Sequence, residues 1–391
     1  MREDRSASGN ARMSRTSSED AHGDRRIQAP IAASSALTDV RQWMAGRSLG
    51  AAYITNPVSI AYLTGFFANP HERLMALAVR PRDAVLVVPE LEHEKANNHA
   101  SDVTVVGWRD GEDPDALVGH ALAGVSDIAV EKEHITLHAA ELITTRTGAT
   151  ELVDVGREIR RMRLIKRKDE IAKLARAAVI TDAAGAKVFS QMRAGMSELD
   201  VAMLIGSAIG EQGGTLAFSS LVQSGPNSAM PHATPSSRRL AAGDFVLLDF
   251  GAAVDNYDAD TTRMGVVGEP SARHREIHDA VLRANQAAIA AVRAGVTTGD
   301  VDAAARRVIE AAGFGPQFFH RVGHGLGLEE HEDPSLDPGS TTVLEAGMVF
   351  TIEPGIYIEG FGGVRIEDDV VVEERGCRVL TNADRDLKVI T

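Results

Sequence analysis

An internal repeat constrains the fold of this chain more than any other feature. "RAGMSELDVAMLIGSAIGEQGG" begins at Arg193, and "RAGVTTGDVDAAARRVIEAAGF" begins at Arg293. In both copies an Asp-Val pair follows RAG at the same offset, and an amphipathic helical pattern and a glycine come next. A chance likeness between two alanine-rich helices is the alternative, but the segments around the two copies also correspond.

The neighbours of each copy come in the same order. Apolar helical patterns precede the copies, at residues 170–192 and 274–292. Strand patterns follow them: "DFVLLDFGA" after the first copy, and "MVFTIEPGIYI" with "GVRIEDDVVV" after the second. This order predicts duplicated half-domains of helices and antiparallel strands. The cleft between two such halves is a usual place for a binding site.

The region before the repeat has a different pattern. From about residue 35, short apolar runs alternate with helical stretches at 90–100 and 115–123, which is typical of a small α/β domain. The charged segment "REIRRMRLIKRKDEIAKLARAA" opens a long helix and marks the boundary. We therefore predict a disordered tail (residues 1–34), an N-terminal α/β domain (35–155) and an α+β catalytic domain (160–391).

Composition narrows the class of protein and its partners. The chain has 391 residues, enough for two domains, and no apolar run that could span a bilayer. A net charge of −14 argues against nucleic acid or an anionic membrane as the partner. Cys377 is the only cysteine, so an intrachain disulfide and a multi-thiolate metal site are excluded, which fits a cytoplasmic protein. The first 30 residues lack the hydrophobic segment of a signal peptide.

Several acids stand in or beside apolar strand patterns. "VLLDFGAAVDNYDADTTRM" places Asp249 directly after buried-strand residues, where an unpaired carboxylate costs several kcal/mol. If this segment turns at Asp255-Asn256 and forms a hairpin, Asp249 can approach Asp260. Glu353 ends the strand of "FTIEPGIY", and Glu367 lies in "GVRIEDDVVV". A turn or an edge salt bridge explains any one of these acids alone.

Taken together, the four carboxylates indicate a metal centre. Meeting in one cleft, they would repel each other and take up protons, whereas two divalent cations would neutralise them. The segment "HRVGHGLGLEEHEDP" adds three histidines and glycines that allow close backbone approach and unusual dihedral angles. Carboxylates with one imidazole suit Mn²⁺, with Co²⁺, Fe²⁺ or Zn²⁺ as alternatives. Two ions about 3.5 Å apart can share a hydroxide that attacks a carbonyl carbon.

These residues resemble the prolidase / aminopeptidase P / creatinase family of metallopeptidases. Six blocks in fixed order carry the resemblance: "MPHATP", "LLDFGA", "NYDADTTRM", "HRVGHGLGLEEHE", "TIEPGIY" and "GVRIEDDVVV". "TNPVSIAYLTGFFANPHERL" extends it into the N-terminal domain. The resemblance implies a pita-bread catalytic domain of two pseudo-symmetric halves, preceded by a creatinase-like N-terminal domain. Asp255-Asn256 departs from the Lys-Gly or Glu-Gly of many members, but this is a turn position without a ligand.

The resemblance also implies a role for each residue of the site. Asp249 would bind one metal ion, Asp260 and Glu367 would bridge both ions, and His324 and Glu353 would complete the second. Glu353 would in addition transfer protons. Among the other predicted site residues, His232 would bind substrate beside the scissile bond, His331 would contact the proline side, and Arg365 and Tyr357 would support the metal carboxylates.

The implied function is metal-dependent hydrolysis of the Xaa-Pro imide bond in dipeptides, by a hydroxide bridging two metal ions in a homodimer. The substrate is a small peptide with proline in second position. One alternative is Xaa-Pro aminopeptidase activity on longer peptides, and another is a non-peptide C–N hydrolase of the same fold. Methionine aminopeptidases usually lack the N-terminal domain, and non-catalytic relatives have usually lost a ligand. A dipeptidase needs a cation or imidazole for the proline carboxylate, which His331, Arg365 or Arg73 would supply.

Overall fold

The N-terminal α/β domain is built on one six-stranded mixed sheet. The computed structural model describes residues 33–391, with side chains from residue 36 onward. The predicted tail, residues 1–34, lies outside the described residues except for Ala33 and Ser34, which begin the first helix. The elements are α1 Ala33–Ala45, β1 Ala51–Ile54, α2 Pro57–Thr64, β2 Ala76–Val79, β3 Ala84–Pro89, α3 Glu90–His99, β4 Thr104–Trp108, α4 Pro114–Ala121, β5 Asp127–Val130, α5 Leu137–Thr147 and β6 Glu151–Asp154.

Helices cover both faces of this sheet, whose strand order is β4-β3-β2-β1-β5-β6. The pairs β1–β2 and β2–β3 are antiparallel, and the others are parallel. Every residue of β1 and β2 is buried, so these strands read as continuous apolar runs. One helix, α6 Gly156–Leu164, then leads from β6 into the second domain.

The C-terminal domain contains the repeat and the remaining elements. They are α7 Lys168–Gln191, α8 Glu198–Glu211, β7 Thr215–Leu216, β8 Leu221–Ser224, β9 Phe245–Phe250, β10 Ala252–Val254, β11 Tyr257–Asp258, β12 Thr261–Val267, α9 Ala272–Ala291, α10 Thr298–Ala311, β13 His324–Gly325, β14 Glu332–Ser335, β15 Val349–Ile352, β16 Gly355–Ile358, β17 Gly362–Arg365, β18 Asp368–Glu373, β19 Gly376–Val379 and β20 Lys388–Ile390. The two main sheets are β20-β12-β9-β8 and β14-β13-β15-β18-β19. Smaller sheets are formed by β11-β10-β7 and by β16-β17.

Capping boxes explain the repeated Asp-Val. The carboxylate of Asp200 accepts a hydrogen bond from the backbone N–H of Ser197 (2.8 Å), and the Ser197 hydroxyl accepts one from the N–H of Asp200 (3.1 Å). Asp300 and Thr297 form the same pair of bonds, at 3.0 and 3.1 Å. Each reciprocal pair satisfies two backbone donors that the first turn of a helix leaves free. The repeat therefore encodes the starts of α8 and α10.

The glycine of each RAG has an equally specific reason. Gly195 and Gly295 have φ of 85° and 89°, a left-handed conformation that favours glycine. Their backbone N–H groups donate to the carbonyl oxygens of Leu240 and Leu344, both at 2.9 Å. Each repeat is thus fixed to the segment that enters its own central strand. This correspondence confirms two pseudo-symmetric halves.

Strand β9 lies between the apolar cores of the two halves. Its residues Val246 and Leu248 pack in the cluster of α7 and α8. The alternate residues, Phe245 and Leu247, pack in the cluster of α9 and α10. Since side chains alternate along a strand, Asp249 points the same way as Phe245 and Leu247, as predicted. It therefore faces the second half of the domain.

The predicted turn at Asp255-Asn256 is confirmed. Both residues have positive φ (50° and 63°), and Val254 pairs with Tyr257 across them. A two-residue turn with both φ values positive matches the twist of an antiparallel hairpin. Strands β9 and β12 pair antiparallel on either side of this hairpin. Among the described residues, no helix is both long and apolar enough to cross a membrane.

Candidate active site

The four predicted carboxylate ligands lie at or beside points where the chain passes from one sheet to another. Asp260 falls between β11 and β12, Glu353 between β15 and β16, and Glu367 between β17 and β18. Asp249 is the last residue but one of β9 and pairs with Thr262 of β12. A side chain at the end of a strand is not flanked by side chains of the adjacent strands on both sides, so it can project out of the sheet. All four carboxylates consequently reach one cleft.

One of these breaks differs from the prediction. Pro354 ends the strand after Glu353, as expected from the missing N–H of proline. "GVRIEDDVVV" was expected to be one strand, and that prediction is wrong. At its centre the backbone N–H of Glu367 donates to the carbonyl of Thr262 in β12, at 3.2 Å. The chain thereby leaves the β16–β17 pair and joins the five-stranded sheet, and Glu367 projects at the crossing.

The ligand atoms are close together. One carboxylate oxygen of Asp260, one of Glu367 and a ring nitrogen of His324 all lie within 4.8 Å of one another. The Nε2 atom of His324 is 3.3 Å from Oε1 of Glu353. Asp249 joins the group through Arg365, whose Nη2 donates to Asp249 Oδ2 and whose Nε lies 3.9 Å from Glu353 Oε2. The structure thus brings the five predicted ligands into one cluster.

Burial and mutual repulsion raise the pKa values of three carboxyls. Burial raises the pKa of Asp260 well above its usual range, and the charges of Glu367 and Asp249 raise it further. The pKa of Glu367 is also well above its usual range, because of burial and the charges of Glu353 and Asp249. Burial raises the pKa of Glu353 to about 7, while Arg365 lowers it and Asp249 raises it. These environments penalise negative charge that has no cation beside it.

The donor atoms fit divalent cations. Asp249 Oδ1 and Asp260 Oδ1 are buried and form no hydrogen bond with any described residue. His324 Nδ1 donates to the carbonyl of Gly325 at 3.1 Å, so the Nε2 lone pair faces the oxygen of Glu353. The lone pairs of His324 Nε2 and Glu353 Oε1 repel each other at 3.3 Å, and a positive ion bound by both atoms would remove that repulsion. Carboxylate oxygens with one imidazole are a donor set for Mn²⁺ and similar ions.

The neutral form of His324 is also the form that binds metals. Burial, together with the neighbouring His331, lowers the pKa of His324 to about 3. The preceding glycine explains how the ring reaches the centre: a Cβ on Gly323 would lie 1.9 Å from the carbonyl oxygen of Thr351. The glycines of this segment therefore serve close backbone approach, as predicted. The predicted unusual dihedral angles are absent from it, since none of its three glycines has positive φ.

Arg365 and Tyr357 form a supporting layer. Arg365 donates from Nε to Thr262 Oγ1 (3.0 Å) and from Nη1 to the Tyr357 hydroxyl (3.1 Å). Thr262 in turn donates to Glu367 Oε2 at 2.6 Å. Since Nη2 donates to Asp249, each of the three guanidinium nitrogens of Arg365 makes a hydrogen bond within the site. Arg365 is thereby held against Asp249, Thr262 and Tyr357.

His320 belongs to the same layer, although it is not among the predicted site residues. Its Nδ1 donates to the carbonyl of Arg321 at 2.7 Å, which leaves Nε2 to accept from the Tyr357 hydroxyl at 3.0 Å. Burial and the charge of Arg365 lower the pKa of His320 to about 4, which keeps this acceptor neutral. One feature of the sequence could have predicted His320 as a site residue: it lies in the same histidine-rich block as His324.

All nine predicted site residues line one cleft of about 710 Å³. His232 lies on the loop that follows β8, and His331 on the segment between β13 and β14. The His331 ring is 4.0 Å from that of His324 between centroids, and its side chain is 58% exposed toward the opening. The histidines and the carboxylates thus line the same cleft.

Arg321 is the cleft cation that sequence reasoning missed. It lines the cleft and donates from Nη1 to Ser335 Oγ at 2.8 Å. No carboxylate of the described residues lies within ion-pair distance of it. Arg73, which the sequence offered for this purpose, is paired with Asp110 and Glu72 and does not line the cleft of its own chain.

Comparisons with known proteins agree with this geometry. The profile described as metallopeptidase family M24 matches residues 172–374, and the Creatinase/Prolidase N-terminal domain matches residues 37–165. The chain belongs to metallopeptidase family M24. An M24 hydrolase of two domains, creatinase-like and pita-bread, is thereby confirmed.

Relatives of this M24 protein cover nearly its whole length. It is 39% identical over 362 residues to a Xaa-Pro dipeptidase of Lactobacillus helveticus, covering 90% of this chain and 98% of the relative. The solved structure of a Xaa-Pro dipeptidase from Bacillus anthracis has a TM-score of 0.85 at 33% identity, covering 92% and 100% of the two chains. An X-Pro aminopeptidase from Thermotoga maritima MSB8 also has a TM-score of 0.85, at 32% identity and 90% and 99% coverage. The fold is therefore shared by proteins named Xaa-Pro dipeptidase and X-Pro aminopeptidase.

Proposed function

We propose that this M24 protein is a metal-dependent Xaa-Pro dipeptidase. The observation that carries the proposal is the cluster of four carboxylates and one neutral imidazole in one cleft, in which two buried carboxylate oxygens have no hydrogen-bond partner among the described residues. Asp249, Asp260, His324, Glu353 and Glu367 would hold two divalent ions, with Mn²⁺ the first choice for this donor set. Bound there, the ions would supply Lewis acidity and a water-derived nucleophile at neutral pH.

Protein side chains would transfer the proton, stabilise the developing negative charge and contact the substrate. Xaa-Pro is a tertiary amide, so its departing nitrogen has no hydrogen of its own and must receive a proton. Glu353 faces the cleft from the end of β15 and would carry a proton to that nitrogen. His232 would donate to the oxygen of the scissile carbonyl as negative charge develops there. His331 would contact the proline ring.

Arg365 and Tyr357 would act on the carboxylates rather than on the peptide. Their bonds to Asp249, Thr262 and His320 hold the acid side chains in fixed directions. Fixed donors and acceptors cost no reorganisation when charge moves during the reaction. This arrangement supports their predicted role.

The free cation favours dipeptides over longer chains. A dipeptide ends at the proline carboxylate, and a guanidinium recognises a carboxylate by charge-assisted hydrogen bonds. Arg321 lines the cleft without an acidic partner among the described residues, so it would serve this purpose. In a longer Xaa-Pro substrate, an amide would stand where the carboxylate would be. The second candidate is Xaa-Pro aminopeptidase activity, favoured by the likeness to the Thermotoga maritima enzyme.

A comparison of three substrates tests the proposal. The chelated protein and the same protein reloaded with Mn²⁺ would be assayed on Ala-Pro, Ala-Pro-Ala and Ala-Ala. We expect Mn²⁺-dependent cleavage of Ala-Pro and little cleavage of the other two. Equal kcat/KM for Ala-Pro and Ala-Pro-Ala would favour the aminopeptidase instead. Failure to cleave any of them with Mn²⁺, Co²⁺, Fe²⁺ or Zn²⁺ would refute both peptidase readings and favour a non-peptide C–N hydrolase.

Assembly and location complete the proposal. The likeness to the prolidase family supports a homodimer, which light scattering coupled to size-exclusion chromatography would measure. The single cysteine, Cys377, supports a reducing cytoplasm. Fractionation of the source cells with an antibody against the protein would test that location.

A further inference from the structure

The cleft is bordered by a loop that is held from outside the catalytic cluster. Residues 326–331 connect β13 to β14, and Glu330 and His331 at their end both line the cleft. Within the loop, the backbone N–H of Gly327 donates to the carbonyl of Glu329 at 3.1 Å. The backbone N–H of Asp258 donates to the carbonyl of Gly327 at 2.8 Å. A further support is Glu332, whose Oε1 accepts from the N–H groups of Leu328 (2.8 Å) and Glu329 (3.2 Å). The direction of the second part of the loop, from Leu328 onward, therefore depends on where the Glu332 carboxylate is fixed.

Two cations from the link between the domains fix that carboxylate. Arg163 of α6 donates from Nη2 to Glu332 Oε1 at 2.5 Å and to Glu329 Oε2 at 2.6 Å. Lys166, just after α6, donates to Glu332 Oε2 at 3.1 Å. The side chains of Glu332, Arg163 and Lys166 are 5%, 7% and 1% exposed, so the bonds among these three residues are shielded from water. Leu328 adds an apolar contact with the core of the N-terminal domain.

Stability is a weak reason for such a cluster. The cost of removing ions from water often exceeds the attraction between them, and well-packed apolar residues of similar size frequently stabilise a protein as much. What an apolar replacement does not provide is direction, because each of these bonds has a defined donor and acceptor. Here the directed bonds end on the backbone N–H groups of a loop that enters the cleft.

We propose that Arg163 and Lys166 are positioning residues that act through Glu332 to hold Glu330 and His331 against the substrate. The inference rests on the proposed function only in taking a peptide as the occupant of the cleft. It gives the link from the N-terminal domain a part in substrate binding, since α6 connects that domain to the loop. Loosening the cluster leaves the metal ligands in place and weakens substrate binding.

Matched substitutions on α6 test this. Arg163→Met removes the cation with little change in apolar volume. Arg161→Met is the control, because Arg161 lies on the same helix, is 70% exposed and pairs only with Glu158 among the described residues. Hydrogen–deuterium exchange of peptides spanning residues 326–333 reports on the loop without any substrate. Steady-state kinetics on Ala-Pro and Mn²⁺ content complete the measurement.

We expect Arg163→Met to speed amide exchange in this segment at least tenfold and to raise KM about tenfold, with kcat within about threefold of wild type, the pattern of lost substrate binding. Mn²⁺ content should not change, and Arg161→Met should match wild type. Arg163→Lys, which keeps the charge, should restore part of the amide protection and of the affinity.

Three outcomes would overturn the inference. One is wild-type exchange and KM in Arg163→Met, and another is an equal effect of Arg161→Met. The third is a fall in kcat accompanied by loss of Mn²⁺, which would mean that the cluster supports the metal centre as a whole. If Arg163→Met does not fold, Lys166→Met decides by the same measurements, since it leaves the Arg163 bonds in place. If the wild type does not cleave Ala-Pro, the proposed function fails, while the exchange data still test the positioning of the loop.

Discussion

Arg321 offers the sharpest test of how substrate length is recognised. Replacing it with Met keeps an unbranched side chain of similar reach and removes the charge. Arg321 is half-buried, and its hydrogen bond with Ser335 Oγ is a neutral contact that leaves most of its N–H groups for a ligand. We expect Arg321→Met to impair hydrolysis of Ala-Pro far more than hydrolysis of its amide.

The size of the effect follows from burial and charge. Hydrogen bonds to charged groups contribute about 1.5–3 kcal/mol. Arg321 is partly exposed, and water weakens such a pair, so about 1–2 kcal/mol is the better expectation here. Since about 1.4 kcal/mol corresponds to tenfold, kcat/KM for Ala-Pro should fall roughly 5- to 30-fold. The same substitution should change kcat/KM for Ala-Pro-amide by less than about threefold, because the amide has no charge to lose.

A four-way comparison isolates this interaction. Wild type and Arg321→Met would each be assayed on Ala-Pro and on Ala-Pro-amide at saturating Mn²⁺, with metal content measured in parallel. Ser335→Ala is the control, since it removes the neutral contact of Arg321 but keeps its charge. Equal losses on both substrates would refute the role of Arg321 in binding the carboxylate. His331 and Arg365, which also line the cleft, would then remain as the candidates for this role.

The remaining predictions concern the metal centre and the buried ion cluster of Arg163, Lys166 and Glu332. Glu367→Ala should weaken binding of at least one ion sharply; two ions retained after dialysis would contradict its bridging role. Glu353→Gln should lower kcat by about two orders of magnitude or more, and near-normal turnover in excess Mn²⁺ would move the proton transfer elsewhere. Burial raises the pKa of Glu332, but Lys166 and Arg163 outweigh it and hold the pKa below its usual range. Its folded form therefore binds fewer protons than its unfolded form, so the stability it contributes above pH 4.5 is lost as pH falls below that value. Urea unfolding from pH 6 to 3 should show a flatter decline for Glu332→Gln than for wild type.

Local patterns in the sequence predicted the elements and most of the site. The repeated RAG and Asp-Val follow from a left-handed glycine and a capping box, which are encoded within a few residues. The turn at Asp255-Asn256 has the same local origin. Strand alternation predicted the direction of Asp249 because β9 is an unbroken strand between two cores. In each case the physical cause lies within one element or one turn.

Long-range polar contacts were not predictable in this way. Arg163 and Glu332 are 169 residues apart, and Arg365 and Asp249 are 116 apart. A charged residue can pair with any opposite charge that packing brings near it, so periodicity carries no information about its partner. The break at Glu367 was missed for a related reason, because it depends on a hydrogen bond to Thr262 in another sheet. Arg321 was not predicted because its suitability for binding a carboxylate depends on the absence of an acidic partner among the described residues, and that absence follows from the fold.

The duplication explains the carboxylates but not the direction of the substrate. Each half contributes two acids, and Asp249 and Glu353 each lie nine residues after the leucine that binds the glycine of RAG. Two equivalent halves would give a symmetric cage with no preference for either end of a peptide. The nitrogen-bearing side chains break this symmetry, since Arg321, His324 and Arg365 all come from the second half, as does His331. Of the described nitrogen-bearing side chains that line the cleft, His232 is the one from the first half. Among these side chains Arg321 carries a positive charge without an acidic partner in the described part of the chain. We therefore expect a peptide to bind with its proline carboxylate toward Arg321, on the second-half side of the cleft.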